Sequence, residues 1–144
     1  PGMKKFLLTA GFCLLTTSFL LAQDKSVNVP YNVVFDLTSG DTIEHKAVLR
    51  WIKLISETHP DARLELVVYG NALPLFVKGK SIAGNEITGL AAGKKVNFRA
   101  CAMTMKRDKI DKGQLITGVE TVPDAIYEII TRQSEGWGYI KVSH

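Results

Sequence analysis

The sequence predicts an α/β domain in which an open, mostly parallel sheet of five strands is covered by helices on both faces. Three observations predict it. Five short runs rich in Val, Ile, Leu and Phe recur along the chain, and the first, Tyr31 to Leu37, is almost continuously apolar, as in strands buried on both sides. Segments with helical spacing or helix-ending residues separate the runs. Such alternation implies parallel strands joined by right-handed crossovers. The order expected is 2-1-3-4-5, in which the direction of winding reverses between strands one and three.

Composition suits one such domain. The chain has 144 residues, 46% of them hydrophobic and 22% charged, enough for a real core and too apolar for disorder. Its net charge of +4 is small, and no basic patch points to nucleic acid. Residues 1–22 are expected to be removed. Pro1-Gly2 read as a cloning remnant, and Met3-Lys4-Lys5 with the apolar run Phe6 to Leu21 and the exit Leu20-Leu21-Ala22 read as a secretory signal cut after about Ala22. The run is shorter than the ~20 residues of a spanning helix and is interrupted by Gly11, Thr16, Thr17 and Ser18, so no stable membrane insertion is expected after cleavage. Residues 23–30 form a polar leader, and residues 31–144 the domain. The expected location is periplasmic or secreted. Cleavage takes Cys13 away and leaves Cys101 as the one thiol, so the domain makes no internal disulfide.

The elements follow in order. Tyr31 to Leu37 is strand one, and Thr38-Ser39-Gly40-Asp41 turns out of it. Asp41 with Glu44 resembles a capping box opening helix one. Ala47, Val48, Trp51, Ile52, Leu54 and Ile55 give that helix a broad apolar stripe, and Pro60 ends it. His45 and His59 lack a metal-ligand partner and are expected in solvent. Arg63 to Tyr69 is strand two, stopped by Gly70. Asn71 to Lys80 forms a helical turn or two, and Ile87 to Ala92 a short helix closed by Gly93. Lys95 to Met103 is strand three. Thr104 to Gly113 is charged and holds a short helix or turn, and Leu115 to Val122 carries strand four. Pro123 fits the first turn of helix four, which runs through Ala125, Ile126, Ile129 and Ile130 to about Ser134. Trp137 to Val142 is strand five.

Strand three holds the candidate site. By the period-2 rule Val96, Phe98, Ala100 and Ala102 share one face, and Asn97, Arg99, Cys101 and Met103 the other. Ligands in open parallel sheets gather beyond the carboxyl ends of the strands where winding reverses. In the expected order that point lies between Cys101 and the strand-one loop with Ser39 and Gly40. Lys106 and Arg107 are candidates to lower the thiol pKa, together with the amides of a helix starting after the cysteine. Gly84, Gly89 and Gly93-Lys94 do not have P-loop spacing, and no G-x-G-x-x-G occurs. No Cys/His cluster suggests zinc, no Gly-x-Ser-x-Gly elbow suggests a hydrolase, and no haem or flavin motif is present, so no cofactor is expected.

Several of these stretches carry a resemblance. Val33-Val34-Phe35, Leu66-Val67-Val68-Tyr69-Gly70, Val96-Asn97-Phe98-Arg99-Ala100-Cys101, Val122-Pro123-Asp124-Ala125 and Gln133-Ser134-Glu135-Gly136-Trp137-Gly138-Tyr139-Ile140 together resemble the DsrE/DsrF-like family over about Tyr31 to Val142. The resemblance implies a flavodoxin-like fold of the DsrE type and homo-oligomers, often trimers or hexamers. In its cytoplasmic sulfur-relay members the matching cysteine carries sulfur as a persulfide, a role that would fall here on Cys101, with a sulfur donor or acceptor protein as partner. Those members follow the cysteine with small residues and an Arg-rich turn ending in glycine. Here Ala102 to Arg107 keeps a basic pair, and Asp108 replaces the glycine.

Two readings stay open on the sequence. One is an exported thiol-dependent sulfur carrier or redox protein using Cys101. The other is a non-catalytic oligomeric binding or scaffold protein with a buried structural cysteine, in which Asn97 and Arg99 pair across a subunit interface.

Overall fold

The computed structural model describes residues 2–3 and 28–143. The signal segment, Cys13 and most of the leader lie outside the described residues. Five strands form one sheet: β1 (Asn32–Leu37), β2 (Arg63–Val68), β3 (Val96–Cys101), β4 (Val119–Val122) and β5 (Gly138–Lys141). All pairings are parallel, and the order is β4-β3-β2-β1-β5. The α/β class is as expected, and the order 2-1-3-4-5 is not. Strand–helix alternation is compatible with both orders. Consecutive β2, β3 and β4 bring Arg99 between Glu65 and Glu120, and Arg99 pairs with both. That charge match was not visible until the strands were neighbours.

Topology then decides the layers. Each step from β1 to β4 moves one strand in the same direction, so right-handed crossovers put all their connections on one face. These are α1 (Thr42–Thr58), the 3₁₀ helix Gly70–Phe76, α2 (Gly84–Ala92) and α3 (Ala102–Asp108). The last crossover returns across the whole sheet to the far side of β1, which places α4 (Ala125–Ser134) on the other face. The switch in face therefore falls between the exits of the neighbouring strands β3 and β4, and not between β1 and β3 as expected.

The first face is the main core. Phe35, Leu37, Leu66, Val68, Phe98 and Ala100 point into it and meet Val48, Leu49 and Ile52 of α1, Phe76 and Ile87. Phe76 and Phe98 pack edge-to-face at 5.7 Å, a favoured arrangement of ring quadrupoles. Trp51 lies half-buried 6.5 Å from Phe35, a core position as expected. Asp41 caps α1 by accepting from the Ile43 amide at 2.8 Å. The Asn71–Lys80 turns are the 3₁₀ helix, whose Ala72, Leu73, Leu75 and Phe76 are all buried.

Several boundaries move. His45 is buried, with its Nε2 2.8 Å from the Ser39 carbonyl, whereas His59 is exposed beside Tyr31. Leu115 and Ile116 are core residues outside β4, and Leu115 forms an isolated bridge with Val77. Pro123 precedes α4, which is capped by Asp124 accepting from the amides of Ile126 and Tyr127. Of the expected stripe on α4, Ala125 and Ile129 are buried, and Ile126 and Ile130 are exposed.

Candidate functional site

Strand parity carries Asn97, Arg99 and Cys101 to the face under α4, as expected. Ala102 departs from the strand pattern because α3 begins there, directly after Cys101. Cys101 is the one free cysteine among the described residues. It is buried, 5% exposed, against Val34, Val67, Ala125, Ile129 and Trp137, with Tyr69 packed beside them. The thiol therefore lies beneath α4 at the carboxyl end of β3.

Beside it, the ends of β1, β2 and β5 build a polar cluster. Asp36 is buried at the end of β1. Its carboxylate accepts from the Tyr139 hydroxyl at 2.6 Å and the Lys141 ammonium at 3.0 Å. Lys141 also donates to Thr38 Oγ1 at 2.8 Å and lies 5.8 Å from the centre of the Tyr69 ring. Burial, then the Asp36 charge and a hydrogen bond to Asp36, push the Tyr69 hydroxyl up to about 12; the Cys101 sulfur adds a smaller effect of the same sign. The hydrogen bond to Asp36, with burial, pushes Tyr139 to about 12 as well. Both phenols stay protonated at neutral pH and serve as donors. Asp36, near the end of strand one, is the acceptor at the centre of this cluster.

The other sequence candidates sit apart from this arrangement. Arg107 is exposed, held by Asp108 at 2.6 Å and reaching the Gly70 carbonyl at 3.3 Å. Lys106 is exposed near the end of α3. α3 has seven residues, and Cys101 caps it without a side-chain hydrogen bond. Ser39 serves the turn into α1, accepting from the Asp41 amide at 3.0 Å, and a Cβ on Gly40 would stand 3.2 Å from the Asn71 carbonyl. Asn97 is exposed, while Arg99 finds its partners within its own chain. Gly70 matters more: its left-handed φ of 61° turns the chain after Tyr69, and its amide donates to Thr104 Oγ1 of α3 at 3.2 Å.

Further down the same face is an ionic group. Glu65 is fully buried. Arg132 of α4 reaches its Oε2 at 3.1 Å, and the same Nη2 atom reaches Glu128 at 2.9 Å. Arg132 also pairs with Glu135 at 3.0 Å and lies over the Trp137 ring at 5.1 Å. Among the described residues no cluster of three or more His, Cys, Asp or Glu could hold a metal, and no helix is long and apolar enough to cross a membrane. A cavity of about 580 Å³ opens at the opposite end of the strands, before β1 and β2, lined by Tyr31, His59 and Pro60.

The fold and this edge define an α/β protein of the flavodoxin-like class, with a five-stranded parallel sheet between helical layers. Solved structures of the same fold follow. Protein MTH1491 of unknown function from Methanobacterium thermoautotrophicum is 27% identical, with 77% of this chain matched to 98% of that one and a TM-score of 0.72. The conserved protein BT1422 of unknown function from Bacteroides thetaiotaomicron is 10% identical over 78% of this chain and 95% of its own, TM-score 0.64. The ychN protein from E. coli is 13% identical over 78% and 98%, TM-score 0.61. No protein-family model matches the chain, and no curated protein does.

The residues missed in sequence are Asp36, Tyr69, Tyr139, Lys141, Glu65, Glu128 and Arg132. Period-2 parity places Glu65, Val67 and Tyr69 on one face of strand two. What was absent was the knowledge that strand five lies against strand one, which aligns Lys141 with Asp36.

Proposed function

We propose that the chain is an exported, DsrE/DsrF-like thiol protein that carries sulfur on Cys101. One observation carries the reading: the single described thiol sits at the carboxyl end of β3, where the crossovers change face, beside the Asp36–Tyr69–Tyr139–Lys141 cluster. The resemblance of strands one to three and of the tail supports the same assignment. In the reaction, the Cys101 thiolate attacks the outer sulfur of a donor persulfide. The donor S–S bond breaks, a new S–S bond forms on Cys101, and the donor leaves as its thiol. The exchange is redox-neutral and needs no cofactor. Tyr69, packed beside the thiol and kept protonated, adds no negative charge to oppose the sulfur anion. The donor and acceptor are periplasmic or extracellular thiols, and the working unit is a homo-oligomer, trimeric or hexameric.

Incubation with a small-molecule persulfide, followed by mass spectrometry of the intact protein and its peptides, tests this. The expected result is a gain of one sulfur atom at Cys101 that is absent in Cys101→Ser. No gain, together with no reaction of the folded protein toward a thiol probe, would overturn it.

A second reading, an oligomeric scaffold with an inert cysteine, is favoured by the exposed Ile126, Tyr127 and Ile130 of α4 and Tyr139 and Ile140 of β5. Persulfide loading separates the two readings, since only the carrier gains sulfur at Cys101; a strict monomer in sedimentation counts against the oligomer in both.

A further inference from the structure

We propose that α4 is a proton-held cover over Cys101: a proton kept between Glu65 and Glu128 holds α4 against the sheet, and its loss as pH rises loosens α4 and opens the thiol to solvent. The proposal concerns the thiol assigned above, yet it does not need that thiol to carry sulfur.

The geometry has three parts. First, the cover is α4 itself. Ala125 and Ile129 of that helix close over Cys101 together with Trp137, three residues past its end. Second, the same helix is fastened to the sheet lower down by ions. Glu65 and Glu128 converge on one nitrogen of Arg132, at 3.1 and 2.9 Å, which brings the two carboxyls close together. Two ionised carboxylates held this close repel each other, and a proton on one of them removes that repulsion and supplies a donor between them. Third, Glu65 is fully buried, and its Oε1 has no N–H or O–H donor from another residue. A buried carboxylate oxygen left without a donor is costly; a carboxylic acid there donates to Glu128 and removes the cost.

The surrounding charges favour keeping that proton. Glu65 is faced by Arg99 of β3 at 3.7 Å and, from α4 and its cap, by Arg132, Glu128 and Glu135. Arg99 is shared with Glu120 of β4. β1 presents the apolar Val34 at this level, and Asn97 of β3 is neutral. Arg63 of β2 lies across the far Trp137 ring at 5.2 Å. Four carboxyls thus meet the two arginines Arg99 and Arg132 in direct ion pairs, an imbalance that one bound proton lessens. Burial first, then the contact with Glu128, push Glu65 up to about 7, against the pull of Arg132. Ionisation favours any arrangement that hydrates Glu65, and lifting α4 does so.

The test is the rate at which a small uncharged thiol reagent labels Cys101 between pH 6 and 8.5, in the wild type and in Glu65→Gln. The intrinsic rise in thiolate with pH is common to both proteins, so their ratio isolates the cover. The expected ratio is close to one at the acid end and rises by about fivefold toward the alkaline end, a fraction of the full tenfold per unit that a shifted pKa permits. A flat ratio, or no labelling at any pH, would overturn the proposal. Should Glu65→Gln not fold, Glu128→Gln decides: its amide donates to Glu65 without a titrating proton, and its profile is expected to lose the alkaline rise. Retention of the rise in that variant overturns the cover. Amide exchange across residues 125–134 of the wild type, corrected for intrinsic rates, is expected to accelerate over the same range. Failure of persulfide loading with an intact labelling step removes the sulfur reading and leaves the cover standing. Loading with a flat ratio does the reverse.

Discussion

Beneath α1, α2 and α3 the strands present Phe35, Leu37, Leu66, Val68 and Phe98; beneath α4 they present Asp36, Glu65, Arg99, Tyr139 and Cys101. The same five strands supply both faces, alternating residue by residue. The first face is sealed by three connections packed side by side with the 3₁₀ helix, and its contacts are almost wholly apolar. Among the described residues the second has one ten-residue helix, held by a few apolar contacts and a set of ion pairs. Packing of the first kind is stable, insensitive to pH and chemically silent. Packing of the second kind holds buried ionisable groups and brings a thiol and two phenols together. The apolar core of this molecule and its buried ionisable groups therefore occupy opposite sides of one sheet.

The sharpest way to break this contrast is to excavate each side. Phe35→Ala on the apolar face should cost about 3–5 kcal/mol, and Ile129→Ala on α4 about 2 kcal/mol, both read from denaturant midpoints at constant m-value. Equal losses would mean that α4 is as integral to the fold as the opposite layer.

Acid–base titration probes the second face alone. The Glu65 carboxyl rises from an ordinary 4.5 to about 7 in the folded chain, chiefly through burial. Between those values the folded protein holds a proton that the unfolded chain has released. Its stabilising contribution is therefore complete below about pH 4.5 and is lost as pH rises through about 7, some ~3 kcal/mol at most. Glu65→Gln should flatten that decline in unfolding free energy measured from pH 5 to 8. Parallel slopes in the two proteins would place the proton elsewhere.

Asp36→Asn should act locally. Without the carboxylate charge, Tyr139 is expected to titrate about one unit lower, and Tyr69 to fall by less because burial is its larger cause. Alkaline ultraviolet difference spectra of the variant and of Tyr139→Phe assign the two phenols. An unchanged curve would remove Asp36 from the centre of the cluster. The smallest effect is expected at α3. Arg107 is engaged by Asp108 and the Gly70 carbonyl, so Arg107→Ala should alter the labelling rate of Cys101 by less than about twofold, within the range of a screened surface charge. A larger drop would restore Arg107 as a cation acting on the thiol.

Most elements were legible because their causes are local. Pro60 ends α1, Asp41 and Asp124 cap helices, and the parity of Val96 to Cys101 divides that strand between the two faces whatever lies next to it. The strand order was not legible, because alternation constrains handedness and leaves neighbours open. That one uncertainty spread to the site. In the order 2-1-3-4-5, Cys101 faces the Ser39–Gly40 loop, and Asp36 and Lys141 have no reason to meet. Asn97 and Arg99 suggested an interface because no partner for Arg99 was in view; Glu65 and Glu120 lie on either side of it once β2, β3 and β4 are consecutive.

The position of β5 has a consequence in time as well as in space. β1 is near the start of the folded chain, and its neighbour on one side, β5, is made about a hundred residues later, as the contact of Tyr139 with Asp36 at a separation of 103 records. Such a closure is entropically demanding and comes late. A chain emerging in order can assemble β1 to β4 with their apolar layer before α4 and β5 exist. Through that interval Cys101 is uncovered and Asp36 and Glu65 are still hydrated. In refolding experiments, protection of the thiol should therefore lag behind burial of Trp51, and the delay measures how long the Cys101 side of the nascent sheet stays open to solvent.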